Sequence, residues 1–505
     1  MMRPGLAQTQ AVLARELTGG TDEAARLFRQ AVTLTRQVER SRISLARLED
    51  SPKPAPEDVI KIRALRADLR QSEKDEVATQ AELAKFPRYR AVSSTTIALP
   101  ELQKILQDGE GYYRMTVVGD GVYALLATAS TAQAVKLPIS AEELEGQVNS
   151  LRDSITTMER GQAMIYPYDV ALAHKLYLDL FAPFAAQIPS IKHLVFEPDG
   201  AMLKLPLNPL ISDQASVDLY NKRVEADEEA VFDFRGINWF GRAREISTAV
   251  SPRAFVDMRA APPASAPRQY LGFGENSKPQ TAALASLVAA SVDRDCTLPL
   301  SNWQRPISAR ELVAAEQIME RFGGAGSQVV TGDAFTDTAI LDRDDLDQYR
   351  VIHFATHGVV TESRSKCPTQ PALLTSFGGE GSDGLLTFRD IFDLRLDADL
   401  VILSACDTAG KASSVATQEA GLGTGGDVAL DGLVRAFVGA GGRLVLATHW
   451  PIPDNYDATN RLIGGLFTAS PGTGTVTALG QSQRVLMDEL DTSHPVYWAA
   501  FAPVG

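Results

Sequence analysis

At 505 residues the chain is long enough for two or three domains and a sizeable core. Its formal net charge of −14 argues against a nucleic-acid partner, since phosphate binding needs clustered Lys and Arg. The three cysteines, Cys296, Cys367 and Cys406, are too few and odd in number for a disulfide scaffold and fit a reducing compartment, and no CxxC or HExxH spacing offers a metal site.

The N-terminus has no continuous apolar h-region, so a cytoplasmic protein is expected, secreted or periplasmic only if an upstream segment has been removed. No run approaches the ~20 apolar residues of a membrane span. Residues 1–90 read as a helical hairpin. One helix lies over 21–50, with Leu27, Ala31, Leu34, Val38, Leu45 and Leu48 near one face. Ser51-Pro52-Lys53-Pro54-Ala55-Pro56 forces a turn, and a second helix runs over 57–86. The pair is a packed accessory element or the end of a helical-repeat region. Residues 91–165 read as a small α/β subdomain covering the main domain. There Tyr113–Val118 and Val122–Ala127 flank the hairpin signal Gly119-Asp120-Gly121, between helical patterns near Leu99–Leu106 and Leu144–Ile155.

From 166 to 505 strands alternate with helices, which predicts a mainly parallel sheet with helices on both faces. The strands are expected at His193–Phe196, Met202–Leu207, Tyr270–Phe273, Val329-Val330, Leu373-Leu374 and Leu444–Ala447. The helices are expected near Ala282–Val292, at Ser308–Phe322, at Thr387–Leu394 with Thr387 as N-cap, at Leu430–Val438 stopping at Gly439, and at Thr475–Leu490. Two further apolar runs stand out. Arg350–Gly358 reads RVIHFATHG and ends in His357; Asp399–Ala409 reads DLVILSACDTA and carries Cys406. Neighbouring strands of an open parallel sheet deliver their C-terminal ends to one crevice, about 4.8 Å apart. A thiol meeting an imidazole there is the minimum equipment for nucleophilic attack on an amide carbonyl.

The runs PDGAMLKLPLNPL, VIHFATHG, DGLLTFRDIFDLRLDADLVILSACDTAG, DGLVRAFVGAGGRLVLATHWPIPD and HPVYWAAF occur in an order that resembles the CHAT domain, over roughly 166–505. CHAT domains are caspase-like cysteine peptidases, related to separase and often joined to tetratricopeptide repeats. The resemblance implies a caspase-like α/β fold, His357 as the catalytic histidine and Cys406 as the nucleophile. It also implies an oxyanion hole made by the backbone N–H groups of Gly358 and Cys406. The 49 residues from His357 to Cys406 agree with the caspase-type interval of about 50. Ser404-Ala405 stands where caspases carry Gln-Ala, so aspartate specificity is not implied.

His353, four residues before His357, shares its strand face and reads as a satisfied structural histidine or an orienter of the site. Trp450 and Asp454, in THWPIPD, match recurring family positions and are structural or border the cleft. Cys296 and Cys367 lack a comparable context. Gly421–Gly426 matches GxGxxG by letter but follows a polar stretch and reads as part of a loop over Lys411–Asp427 at the mouth of the site. Asp383 and Asp407, with the negative net charge, tilt the expectation toward a basic residue before the scissile bond.

The expected function is a cysteine endopeptidase acting on a protein or peptide substrate through a Cys–His dyad, with a regulatory protein partner at residues 1–165. The alternatives are a caspase-fold interaction module whose catalysis is idle, and a nucleotide-dependent α/β enzyme. The peptidase chemistry requires no cofactor and no metal, and no nucleic acid or membrane partner is expected.

Overall fold

The computed structural model describes residues 56–83, 97–159, 162–279, 303–321, 326–360, 371–378, 382–404, 425–450, 452–453, 457–470 and 472–505, with a few positions between 23 and 34. The expected helix over 21–50 lies largely outside these residues, and the expected helix near Ala282–Val292 lies wholly outside them. Helix α1 (Pro56–Leu83) follows the proline-rich stretch. Next come α2 (Leu99–Ile105), β1 (Glu110–Val118), β2 (Gly121–Ala127) and β3 (Ala132–Ser140). The glycine hairpin forms where its signal lies: Val118 stands opposite Gly121, with Gly119 in the left-handed region at φ +59°. Ser140 and Glu143 form a capping box that opens α3 (Ala141–Ile155). A short hairpin, β4 (Thr157–Glu159) and β5 (Gln162–Met164), leads to α4 (Val170–Phe181), β6 (His193–Glu197), α5 (Gln214–Ala226), β7 (Glu245–Thr248) and α6 (Pro252–Ala260).

The chain continues through β8 (Arg268–Asn276), α7 (Arg310–Arg321), β9 (Gln328–Gly332), α8 (Asp337–Leu341) and β10 (Tyr349–Ala355). A second, three-stranded sheet follows, built from β11 (Gly358–Val360), β12 (Pro371–Leu374) and β13 (Leu385–Thr387). The last elements are α9 (Phe388–Asp393), β14 (Leu400–Ser404), α10 (Gly425–Ala440), β15 (Val445–Thr448), α11 (Ala458–Thr468), α12 (Thr475–Met487), α13 (Pro495–Trp498) and β16 (Phe501–Val504). Thr387 caps α9 as expected, with Asp390 completing a capping box.

Two expectations about single elements are corrected, and a third holds in an unexpected place. Met202–Leu207 is not a returning strand. The carboxylate of Asp199 accepts the N–H of Val117, Gly200 turns at φ +59°, and Gly200–Lys204 coils into a 3₁₀ turn over β1. Helix α10 does not stop at Gly439 but at Gly441, whose φ of +117° no helix interior allows. The strand Leu373-Leu374 forms, but in the small sheet.

The main sheet has the order β3-β2-β1-β6-β7-β16-β15-β14-β10-β8-β9. It is mainly parallel, as expected; only β1–β2, β2–β3 and β15–β16 pair antiparallel. The antiparallel pair β15–β16 joins two parallel blocks that run in opposite directions. Strands β1–β3, read from sequence as part of a covering subdomain, are hydrogen-bonded into this sheet through β1 and β6.

Helices cover both faces. On one, Val351, Leu400, Ile402 and Leu446 pack with residues of α7, α11 and α12; on the other, Ile352, Phe354, Val401 and Leu403 pack with α9 and α10. That is why the strands read as continuous apolar runs: each is buried on both sides. Among the described residues, no helix is long and apolar enough to cross a membrane.

Candidate functional site

In the block β15-β14-β10-β8-β9, the strands enter the chain in the order β8, β9, β10, β14, β15. The strand order reverses between β8 and β10. In open parallel sheets the crevice outside the C-terminal ends at such a reversal is where ligands bind. Strand β10 ends at Ala355, so the two-residue alternation does not extend to His357, and His353 and His357 do not share a strand face. His357 sits in the turn past the strand, half-buried.

Its backbone is held from both sides. The N–H of Leu374 donates to the His357 carbonyl at 2.8 Å, and the Thr356 hydroxyl donates to the Leu374 carbonyl at 2.6 Å. The imidazole Nε2 lies 2.6 Å from the backbone carbonyl of Arg305. A carbonyl oxygen only accepts, so in the neutral ring Nε2 carries the hydrogen and Nδ1 keeps a lone pair. Nδ1 is buried and has no hydrogen-bond partner among the described residues. An imidazole oriented by a carbonyl behind it, with a bare nitrogen in front, is the arrangement a general base requires.

The Arg305 carbonyl is itself fixed. Trp303 donates its indole N–H to the Thr375 carbonyl at 3.0 Å and stacks on Phe377. Asn276, at the end of β8, donates to the Trp303 carbonyl at 3.1 Å. Glu275, in the left-handed region at φ +47°, accepts the N–H of Ala309 at 2.7 Å. The lead-in to α7 is thereby tied to the C-terminal end of β8, on the reversal side of His357.

His353 is fully buried beneath the crevice, and both ring nitrogens are engaged. Tyr270 Oη lies 2.9 Å from Nδ1, and Glu311 Oε1 lies 2.8 Å from Nε2. Burial and the nearby carboxylates of Glu311 and Glu316 push the Tyr270 phenol well above its ordinary range, so its hydroxyl stays a donor. Ser404, the last residue of β14, donates to the same Glu311 oxygen at 2.5 Å. The sequence reading missed Arg305 and Glu311. A backbone carbonyl leaves no trace in residue identity, and an acidic residue in the first turn of an amphipathic helix reads as a surface residue favoured by the helix dipole.

Gly358 is buried and pairs with Leu373 at the start of β11. Cys406 and Asp407 follow β14 and, like Asp454, Cys296, Cys367 and 411–424, lie outside the described residues; Gly425 and Gly426 open α10. Asp383 sits at the turn into β13 and accepts the N–H of Leu385; burial, with Asp337 and Asp390 nearby, raises its carboxyl above the ordinary range. Trp450 is buried in the core. Its indole N–H donates to the Val496 carbonyl, and the Arg152 guanidinium lies over its ring at 5.1 Å. Among the described residues, no cluster of three His, Cys, Asp or Glu side chains is arranged to hold a metal ion. A cavity of about 580 Å³ opens between Phe232, Leu490, His494 and Tyr497, and its lining includes none of the residues just described around His357.

His494, at the N-cap of α13, donates from Nε2 to the Tyr166 carbonyl and accepts the Val496 N–H at Nδ1, which holds the ring neutral. Burial pushes it down to about 3, against the opposing pull of the Tyr166 carbonyl. The unfolded ring, near 6.5, binds a proton that the folded ring refuses, so stability is complete above that value and is lost as pH falls toward 3. Between pH 7 and pH 5 the loss from this group is about 2 kcal/mol. Urea unfolding at the two pH values measures it, and His494→Asn should lose less over the same interval. An equal loss in the variant would assign the pH dependence to other groups.

Residues 170–505 match the family model described as CHAT domain. Tetratricopeptide repeat protein 28 from Mus musculus is 34% identical over 149 residues, 28% of this chain and 5% of that protein. The Homo sapiens protein of the same name is 28% identical over 215 residues, 36% of this chain and 8% of that protein. The match to each thus spans less than a tenth of its length. Among solved structures, the Saccharomyces cerevisiae separase–securin complex aligns with 95% of this chain and 40% of that one, at 11% identity and a TM-score of 0.39.

Proposed function

The chain belongs to the CHAT domain family, and from that premise we propose that it is a cysteine endopeptidase cleaving protein substrates through Cys406 and His357. The observation that carries the proposal is the half-buried imidazole of His357, with Nε2–H held by the Arg305 carbonyl and Nδ1 without a partner among the described residues, beside the strand that leads to Cys406. Nδ1 takes the thiol proton, and the thiolate attacks the scissile carbonyl carbon. The N–H groups of Gly358 and Cys406 receive the developing oxyanion. The imidazolium returns its proton to the leaving amine, and water then hydrolyses the thioester with His357 again as base. The Arg305 carbonyl keeps the ring in one orientation through both transfers.

Regulation is assigned to a partner or ligand at residues 1–165. Strand β1 supports this reading, because it connects through β6, β7 and β16 to β15, the neighbour of β14. Helix α1, whose described side chains are mostly exposed, is a second candidate surface.

The experiment is alkylation of the full chain with iodoacetamide, read per cysteine by mass spectrometry, alongside cleavage of a peptide library. Cys406 is expected to react faster at pH 7 than Cys296 or Cys367, and Cys296→Ser and Cys367→Ser are expected to retain cleavage within about twofold, because neither lies at the family spacing from His357. A Cys367→Ser protein that folds, by circular dichroism, yet is inactive would replace the single-nucleophile model. No cleavage by a chain whose Cys406 reacts as an ordinary thiol would return the reading of a caspase-fold interaction module.

A further inference from the structure

We infer that Glu311 is a positioning residue of this site, a buried carboxylate that holds the strand of His357, the strand leading to Cys406 and the Arg305 segment in one register. The inference rests on the dyad reading above.

Glu311 lies in the first turn of α7 and is 9% exposed. Its Oε1 sits 2.8 Å from His353 Nε2 on β10 and accepts the Ser404 hydroxyl, on β14, at 2.5 Å. The two strands are adjacent and parallel, with Ala355 opposite Ser404. Tyr270, on β8, closes the chain of contacts at His353 Nδ1. One network therefore joins the three strands whose ends frame the crevice to the helix that begins five residues after Arg305. Within this network His357 lies four residues beyond His353, and Cys406 two residues beyond Ser404.

Energetics argue against a packing role alone. Removing a carboxylate from water costs several kcal/mol unless its hydrogen bonds are made good. Among the described residues no Lys or Arg pairs with Glu311; His353 is the one basic side chain against it. The same face is otherwise filled by Leu312, Ala355 and Ile402, so an apolar residue would suit packing better. What the carboxylate supplies is one acceptor atom shared by two strands, which fixes their relative displacement more tightly than apolar contact does. A nucleophile and base misplaced by about 1 Å lose on the order of 100-fold in rate.

The test is the pH dependence of iodoacetamide labelling at Cys406 in the full chain, measured for the wild type and for Glu311→Ala, Glu311→Gln, Ser404→Ala and His357→Ala, with thermal unfolding in parallel. In the wild type, pairing with His357 places the midpoint below the ~8.5 of a free thiol, and His357→Ala returns it there. Glu311→Ala is expected to move the midpoint up by about one unit and slow labelling at pH 7 about tenfold. Glu311→Gln keeps the accepting oxygen and is expected to restore most of that loss. Ser404→Ala, which opens little space and removes only the hydroxyl beside Glu311 and His353, should shift the midpoint in the same direction by less, and it carries the test if Glu311→Ala fails to fold. A lower melting temperature with an unshifted midpoint in both Glu311→Ala and Ser404→Ala overturns the inference and leaves the dyad standing. Glu311→Gln behaving as Glu311→Ala also overturns it, because charge and not position is then at work. A wild-type midpoint near 8.5 that His357→Ala leaves unchanged overturns the dyad itself, and the inference with it.

Discussion

Cys406→Ala and His357→Ala are each expected to lower cleavage by at least about 10³-fold with the fold intact. The magnitude follows from the way such units work: without the thiol no thioester forms, and without the imidazole the thiol proton has no acceptor and the leaving amine no donor. The two losses should not multiply in the double variant, since each single change already removes the covalent route. For His357 the fold should survive, because the turn is held by its backbone: the Leu374 N–H bonds the His357 carbonyl, and neither that bond nor the Thr356–Leu374 bond uses the imidazole. Circular dichroism and turnover of a library-derived peptide are the measurements. Substantial turnover by pure Cys406→Ala sinks the nucleophile assignment; full turnover by His357→Ala sinks the base.

The second large effect is expected at Gly274. This residue lies opposite Ala355 where β8 meets β10, and a Cβ built on it would fall 2.4 Å from the Ala355 carbonyl oxygen and 2.9 Å from Leu312 Cδ1. The Leu312 side chain can yield; the carbonyl belongs to a paired strand and cannot move without parting β8 from β10. Gly274→Ala should therefore cost about 2–3 kcal/mol of stability, at the upper end of overpacking penalties. It should also reduce turnover about tenfold or more, because the displacement falls at the strand reversal, two residues from His357 and one from Glu275. Gly146→Ala, in α3 with open space around the new methyl group, is the control and should be neutral or mildly stabilising. Urea midpoints and turnover for the pair decide the matter: wild-type behaviour of Gly274→Ala would mean that the strand ends are looser than their registered pairing implies.

Much of the fold was legible because it is local. The glycine hairpin at 119–121, the N-cap at Thr387, and the apolar period of α7 each rest on residues within a few positions of one another. Where local signals misled, a distant partner decided. Met202–Leu207 has a strand's composition, but the bond from Val117 to Asp199 turns the chain over β1. Leu373-Leu374 reads as a strand and is one; only its place, between Gly358–Val360 and Leu385–Thr387 in the small sheet, depends on distant partners. Strands β1 and β6, on either side of the expected boundary near 165, are hydrogen-bonded to each other, a pairing no local pattern records.

The same division holds at the candidate site. From the sequence alone came the ordered family motifs, two apolar runs that end near one crevice, a histidine and a cysteine at a caspase-type interval, and His353 as a structural histidine or an orienter of the site. These depend on periodicity and spacing, which a linear chain records. The tertiary structure decided that the carbonyl behind His357 is that of Arg305, 52 residues away, and that Glu311 meets Ser404 across 93 residues. Neither could be read in advance, because backbone carbonyls are alike at every residue and an acid looks the same whether it faces water or a buried serine. Which carbonyl and which acid are used depends on how α7 packs against the ends of β8, β10 and β14, and that is a property of the assembled sheet.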